Sequence, residues 1–260
     1  MTHTCPRALT SFVVVSMLPL LFGSSASAQG ARQEPRPQPL MPAFSRIFTD
    51  TAHDLTRLPD KRSLSWLSLG AAAAMVAHTQ DTRVSTWATS GHFGGASKAG
   101  TAVGSFPLQL GGALATYAVA RMTSSPRVAT VAVDLARAQL VAQGATYALK
   151  LAVPRSRPDG SARSFPSGHA SVTFASATVL QRHFGWKVGA PAYAVATYVA
   201  ASRLETNRHY LSDVAFGAVL GIVAGRRVTV GRGDARFALA PAAGPHGASL
   251  SLTWVGRAGH

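Results

Sequence analysis

Three short blocks in the 260-residue chain carry residue types that its otherwise Ala- and Val-rich pattern does not require. They are Lys150-x6-Arg157-Pro158, Pro166-Ser167-Gly168-His169 and Ser202-Arg203-x5-His209-x3-Asp213. In the third, the i,i+4 spacing of His209 and Asp213 predicts that both project from one face of a helix. A carboxylate there could accept a ring N–H, fix the tautomer and leave the other nitrogen free. A nucleophilic or basic histidine is oriented in this way. The plain alternative is a surface ion pair.

In the second block, Ser167 is suited to cap the following helix and Gly168 leaves the backbone open to close approach. Unsatisfied N–H groups and the positive end of the helix dipole would favour a bound phosphate there. His169 would sit beside that anion, placed to donate a proton to a departing oxygen. An ordinary Ser-capped helix start accounts for Ser167 but gives no reason for His169. The first block supplies charge, and Lys150, Arg157 and Arg203 together make a three-cation clamp for a tetrahedral dianion. Taken singly, cations at helix ends are more often solvated or meet the dipole.

The elements that must position these blocks are helical. Apolar segments of helical length run over 64–80, 104–122, 128–150, 170–184, 188–204 and 209–225. Breakers separate them: Gly91 to Gly95, Ser124-Ser125-Pro126, Pro154 to Pro166, Gly185, and the short stretch Glu205 to Arg208. The expectation is an all-α antiparallel bundle of about six helices. The blocks fall at the end of the third helix, the start of the fourth, the end of the fifth and the start of the sixth. An up-down arrangement therefore brings all four positions to one end of the bundle.

From Val228 onward the pattern changes to short alternating stretches, 236–240 and 249–254, joined by a Pro/Gly-rich loop at 241–247. A small C-terminal β-hairpin is expected, with Leu250, Leu252 and Trp254 on one face. The domain reading is a signal segment at 1–28, a Pro-rich tail and lead-in at 29–62, the helical domain at 63–227 and the hairpin and tail at 228–260.

Residues 1–28 read as a secretory signal, with Arg7 before an apolar run from Phe12 to Phe22 and a small-residue cleavage pattern at Ala26-Ser27-Ala28. An uncleaved anchor is the alternative, but the run is short and Pro19 interrupts it. Cys5 lies inside this segment, so a mature chain would have no thiol for disulfides, thiolate catalysis or metal ligation. The formal charge of +15 comes from 25 basic and 10 acidic residues. The basic residues are scattered rather than striped, which argues against nucleic acid and for phosphorylated substrates or anionic headgroups. No internal repeat, Gly-rich nucleotide loop or zinc-ligand spacing is present, and Arg232-Gly233-Asp234 reads as a solvated turn.

The three blocks together resemble the signature of the type 2 phosphatidic acid phosphatase superfamily, which also includes bacterial acid phosphatases, undecaprenyl-pyrophosphate and phosphatidylglycerophosphate phosphatases, and vanadium haloperoxidases. The resemblance spans roughly 100–226, with its core at 150–213. It implies that His209 attacks phosphorus to form a phosphohistidine, that Asp213 orients it, and that His169 protonates the leaving group and then activates water. It further implies that Lys150, Arg157 and Arg203 bind the phosphoryl oxygens with help from Ser167 and Gly168, with no metal and no cofactor. The substrate class implied is a lipid phosphate, and soluble phosphomonoesters or vanadate-dependent peroxidation are the alternatives. Only Asp159 to Phe165 separate the first two blocks, which leaves little chain for a lid and predicts an open, shallow pocket, with Phe165 either touching substrate or packing.

Location is where the features pull apart. A bundle spanning the membrane with its site outside would put Arg121, Arg127, Arg182, Lys187, Arg226 and Arg227 in the cytoplasm, as basic residues prefer. A cleaved signal would instead leave the tail before the first helix outside. Asp134, Arg137 and a mean hydropathy of only +0.16 make several helices poor spans, although 99–120 holds no charge. The expectation is an exported protein, in the periplasm or on the periplasmic face of a bacterial membrane, with a membrane-associated bundle favoured over a soluble one.

Overall fold

The structure, a computed structural model, describes residues 41–90, 97–229, 236–244 and 247–255, the last two ranges by their backbone alone. Nine helices occur among the described residues rather than six. The six expected segments are α2 (Lys61–His78), α5 (Phe106–Met122), α6 (Pro126–Ala152), α7 (Gly168–Phe184), α8 (Trp186–Glu205) and α9 (Leu211–Val228). Three shorter helices stand before and between them: α1 (Arg46–Thr56), α3 (Asp81–Thr89) and α4 (Ser97–Val103). None of the three contains an apolar run of full helical length, and helices this short are marginal until packed, which is why a search for long apolar segments passes them over.

Local chemistry sets the helix ends. Asp60 caps α2 by accepting from the Ser63 N–H at 2.7 Å, Pro126 opens α6 at a position where its missing N–H costs nothing, and Gly185, at φ +75°, turns α7 into α8. Between α8 and α9 the chain reverses through a Schellman arrangement. Asn207 takes the left-handed conformation at φ +55°. Its N–H donates to Leu204 O at 3.0 Å, and the Arg208 N–H donates to Arg203 O at 3.1 Å.

α7 is the centre of the bundle. It runs antiparallel to α6, with Thr146 against Ser171 and Gln139 against Ser176, and antiparallel to α8, where Thr178 meets Tyr193. It lies parallel to α9, at a spacing only glycine allows: a Cβ on Gly221 would come within 2.2 Å of Ser171 O, and one on Gly217 within 2.6 Å of Ser167 O. Alanines and valines of α6, α7 and α9, among them Ala138, Ala142, Val179 and Ala224, fill the core. Asp134 and Arg137 of α6 point inward. Arg137 pairs with Asp54 of α1 at 2.5 Å and His183 Nε2 lies 2.9 Å from Asp134, so these charges fasten α1 and α7 to α6.

No helix among the described residues is long and apolar enough to cross a membrane. Residues 236–244 and 247–255 pair as antiparallel strands β1 and β2, from Arg236 opposite Val255 to Gly244 opposite Gly247. The pairing runs through Pro241 and Ala243, which the pattern assigns to a loop. The signal segment, the Gly91 to Gly95 breaker, Arg232-Gly233-Asp234 and the side-chain face of Leu250, Leu252 and Trp254 lie outside the described residues.

Candidate active site

The ends of four helices converge as the alternating topology predicts. Lys150 lies in the last turn of α6, His169 in the first turn of α7, Arg203 in the last turn of α8, and His209 and Asp213 at the start of α9. Ser167 caps α7, its hydroxyl accepting from the Ala170 N–H, while its own N–H donates to Asp213 O at 3.0 Å. This bond, together with the close α7–α9 packing, holds the second and third blocks together. An added Cβ at Gly168 would meet Gln143 and Thr146 at an ordinary 3.6 Å, so packing alone does not require glycine there.

The geometry of His209 and Asp213 differs from the sequence expectation. α9 begins at Leu211, and Tyr210 before it is extended (φ −79°, ψ 163°), so His209 does not share a helical face with Asp213. Asp213 is instead the third helical residue, and its Oδ2 accepts from the Tyr210 N–H at 2.9 Å, as an acidic residue does in a capping box. Folding the chain back over this turn through extended Tyr210 still brings His209 Nδ1 to 3.6 Å from Asp213 Oδ2. That is just beyond hydrogen-bond length, and Nδ1 has no hydrogen-bond partner among the described residues. Such contacts commonly tighten when substrate binds.

Asp213 is fully buried and held from several sides. Arg155 Nη1 donates to Oδ1 at 2.7 Å, and the Ser164 hydroxyl donates to Oδ2. Burial alone would raise this carboxyl, but these bonds, with His209 and the Tyr210 N–H, hold it below the ordinary carboxylate range. Arg155 continues the network outward. Its Nη2 donates to buried Asp81 at 2.6 Å, Asp81 accepts from the Ser212 N–H and hydroxyl, and His78 Nδ1 lies 2.8 Å from the same carboxylate. The guanidinium also stacks 4.5 Å over the Tyr210 ring.

The remaining cations crowd around the two histidines. Arg203 is buried and reaches Thr101 of α4. Burial, together with the charges of Arg208 and Arg157, lowers Arg203 to about 10. Desolvation, then Arg203 and His209, pushes His169 down to about 4. Burial likewise lowers His209, although Asp213 pulls the other way, so the surroundings of both rings favour the neutral form. Lys150 is brought to about 8 by burial and by Arg157, and it donates to Arg163 O at 2.6 Å and Ser164 O at 3.2 Å. Lys150 thus pins the connecting loop as well as charging the site. The buried Nε atoms of Arg157 and Arg203 have no hydrogen-bond partner among the described residues. Buried guanidinium donors left open in this way call for an acceptor that the described residues do not supply.

All eight residues singled out by sequence stand in this cluster or on the loop that frames it. The sequence reading missed Arg155, hidden in the x6 spacer of the first block, as well as Ser164, Ser212, Asp81 and Thr101. Pro154 beside Arg155 was the one local signal. Asp81 and Thr101 belong to no motif and reach the site only through the fold. Phe165 packs its ring 4.9 Å from Phe216. It also lines a cavity of about 390 Å³ with Ala71, Met75, Val153 and, at the polar edge, Arg155 and Ser212.

Residues 150–236, which contain all three blocks, match the model of the PAP2 superfamily. Over 86 residues the chain is 41% identical to the lipid A 1-phosphatase of Porphyromonas gingivalis, a match covering 32% of this chain and 19% of that protein. Over 99 residues it is 32% identical to the lipid A 4'-phosphatase of Helicobacter pylori, covering 34% of this chain and 50% of the relative. The chain therefore spans at most half the length of these curated relatives. A transmembrane PAP2-type phosphatidylglycerolphosphate phosphatase from Bacillus subtilis is similar over 70% of this chain and 92% of its own, at 17% identity and a TM-score of 0.36. That likeness is too loose to bear on fold or function. The matched stretch begins at Lys150, and α2 to α4, which bring Asp81, His78 and Thr101 to the site, lie outside it.

Proposed function

We propose that the chain is a PAP2-type phosphatase that hydrolyses a phosphomonoester or pyrophosphate of a lipid phosphate, without a metal, through a phosphohistidine on His209. The observation that carries this reading is the pair of buried, open guanidinium donors of Arg157 and Arg203 beside two histidines whose surroundings favour the neutral form. A tetrahedral dianion is the ligand that fits such a deficit of acceptors and excess of positive charge. Lys150 adds a third charge, and Ser167 and Gly168 border the place where the phosphoryl oxygens would lie.

In the proposed reaction Nε2 of His209 attacks phosphorus, a P–N bond forms and the P–O bond to the leaving group breaks. His169 gives its proton to the departing oxygen. Water then attacks the phosphohistidine, His169 takes a proton from that water, the P–N bond breaks and inorganic phosphate leaves. Asp213 holds the Nδ1–H as charge develops on the ring. His169 must be protonated for the first step; burial first, then the Arg203, His209 and Arg157 charges depress it, and a bound dianion opposes the charges.

Support for a lipid substrate comes from the open apolar cavity beside Arg155 and Ser212 and from the PAP2 match with two lipid A phosphatases. Exposed Leu69, Met75, Val76, Met122 and Leu151 on the helix exteriors support association with a membrane. An exported protein with its site on the periplasmic side fits both. The test is a comparison of lipid phosphates and water-soluble phosphomonoesters, each with chelator and with vanadate. Lipid phosphates should give the higher kcat/KM, chelator should have no effect and vanadate should inhibit. Preference for soluble esters would transfer the assignment to an acid phosphatase, bromide oxidation with vanadate to a haloperoxidase, and loss of activity in chelator would sink the metal-free mechanism.

A further inference from the structure

The end of the bundle opposite the active site carries a second concentration of arginine, on different helices' ends. α7 and α9 run parallel, so their C-terminal turns bring Arg182, Arg226 and Arg227 together. α2 runs antiparallel to α9 and adds Asp60, Arg62 and Trp66 from its first turns. These side chains surround a cavity of about 50 Å³. That is room for roughly four water molecules, comparable with the five heavy atoms of a phosphate group. At 1.5 Å per residue, the length of α9 separates this cavity from the catalytic end by about 27 Å.

Arginines at helix C-termini ordinarily do no more than meet the dipole, but three features go further. Asp60 is the one carboxylate lining the cavity among the described residues, and it is already engaged: it caps α2 through the Ser63 N–H and pairs with Arg227 at 2.7 Å. Arg62 and Arg226 therefore face the cavity without a carboxylate of their own. Arg226 is fixed 4.9 Å over the Trp66 ring and Arg182 by donation to Thr229 O at 3.3 Å, so these guanidinium groups are positioned before any ligand arrives. Trp66, Phe184 at the end of α7 and Trp186 at the start of α8 are also exposed at this end, Trp186 by 66%. Amphipathic rings beside arginines suit the headgroup level of a lipid layer, and free phosphate gives no reason for them.

We propose that this cavity is a second phosphate-group site, filled by the headgroup of an anionic phospholipid, and that it docks this end of the protein on an anionic lipid surface. The site does not depend on the chemistry at the other end. The test uses the full chain and the double variant Arg62→Gln with Arg226→Gln. Each is sedimented with vesicles of phosphatidylcholine alone or of phosphatidylcholine with one third phosphatidylglycerol. Each basic side chain at an anionic surface contributes roughly fivefold in affinity, so the double variant should bind phosphatidylglycerol vesicles roughly thirtyfold more weakly. Its kcat/KM for para-nitrophenyl phosphate should stay unchanged, which separates this proposal from the assignment of the active site. Equal binding of the unaltered chain to both vesicles overturns the proposal, as does a preference that the double variant retains. Quenching of tryptophan emission by millimolar inorganic phosphate, without preference for phosphatidylglycerol, also overturns it, because that pattern belongs to a free-phosphate site.

Discussion

Both ends of the bundle are rich in arginine, yet the structure handles the charge in opposite ways. At the catalytic end Arg203 is buried, Arg157 and Arg203 keep open Nε donors, and the neighbouring imidazoles are pushed toward neutrality. At the far end Arg62 and Arg226 are exposed, Arg226 lies on an aromatic ring, and Arg227 is matched to Asp60. Residue type is the same at both ends, and desolvation separates them. A buried guanidinium interacts strongly with whatever anion completes it, whereas an exposed one shares its field with water. Substitutions at the first end should therefore be felt in turnover, and those at the second in docking or in small changes of stability.

The largest contrast is expected at His209. His209→Ala should lower kcat about 10⁴-fold or more while leaving the fold intact, because in the proposed reaction His209 is the group that forms the covalent intermediate. Quenched-flow trapping with labelled substrate should then yield no phosphoenzyme. Near-normal turnover in that variant would remove the distinction between the two ends. Next is Arg203→Lys, which keeps the charge but loses the planar fork. Roughly a hundredfold loss in kcat/KM is expected, against no measurable change for Arg226→Lys in the same assay.

Arg155 tests a different kind of buried charge. Arg155→Ala would leave Asp213 and Asp81 buried without their shared partner, at a cost of about 3 kcal/mol or more in urea unfolding. A cost below about 1 kcal/mol would show that water takes over the role and that the network does not hold the catalytic carboxylate.

The same contrast of buried and exposed explains what the sequence could reveal. Blocks whose members sit on neighbouring residues, such as Pro166 to His169, declare themselves, and alternating helix direction correctly predicts their convergence. The spacing of His209 and Asp213 suits a helical face, but the chain brings them into contact through extended Tyr210 and a capping carboxylate. Asp81, Thr101 and Ser164 could not be read from the pattern, since a serine or an aspartate on a short helix is indistinguishable from a solvated one until packing buries it. The three short helices escaped because none contains an apolar run of full helical length, and helices this short depend on packing.

Lys150 gives a smaller effect with a defined pH signature. Its ammonium is depressed to about 8, so the free enzyme loses this charge as pH rises through that value. kcat/KM for a dianionic substrate should fall roughly tenfold across the alkaline limb, the contribution of one charge-assisted contact. Lys150→Arg should abolish the limb, because arginine remains charged. If the limb persists in that variant, another group sets it and Lys150 serves only to hold the Arg163 and Ser164 carbonyls.

The smallest effect belongs to the far end. Arg227 pairs with Asp60 at 2.7 Å, but the Asp60 side chain is 41% exposed, and pairs open to water contribute about 0–1 kcal/mol. Asp60 also caps α2, a separate contribution of about 1 kcal/mol. Arg227→Gln should therefore cost less in thermal or urea unfolding than Asp60→Ala, which loses pair and cap together, and neither should alter kcat/KM. If Arg227→Gln were the costlier change, the pair rather than the cap would govern the α2–α9 junction. If it slowed turnover, the two ends would be coupled along α9, and the division between a desolvated catalytic end and a solvated docking end would fail.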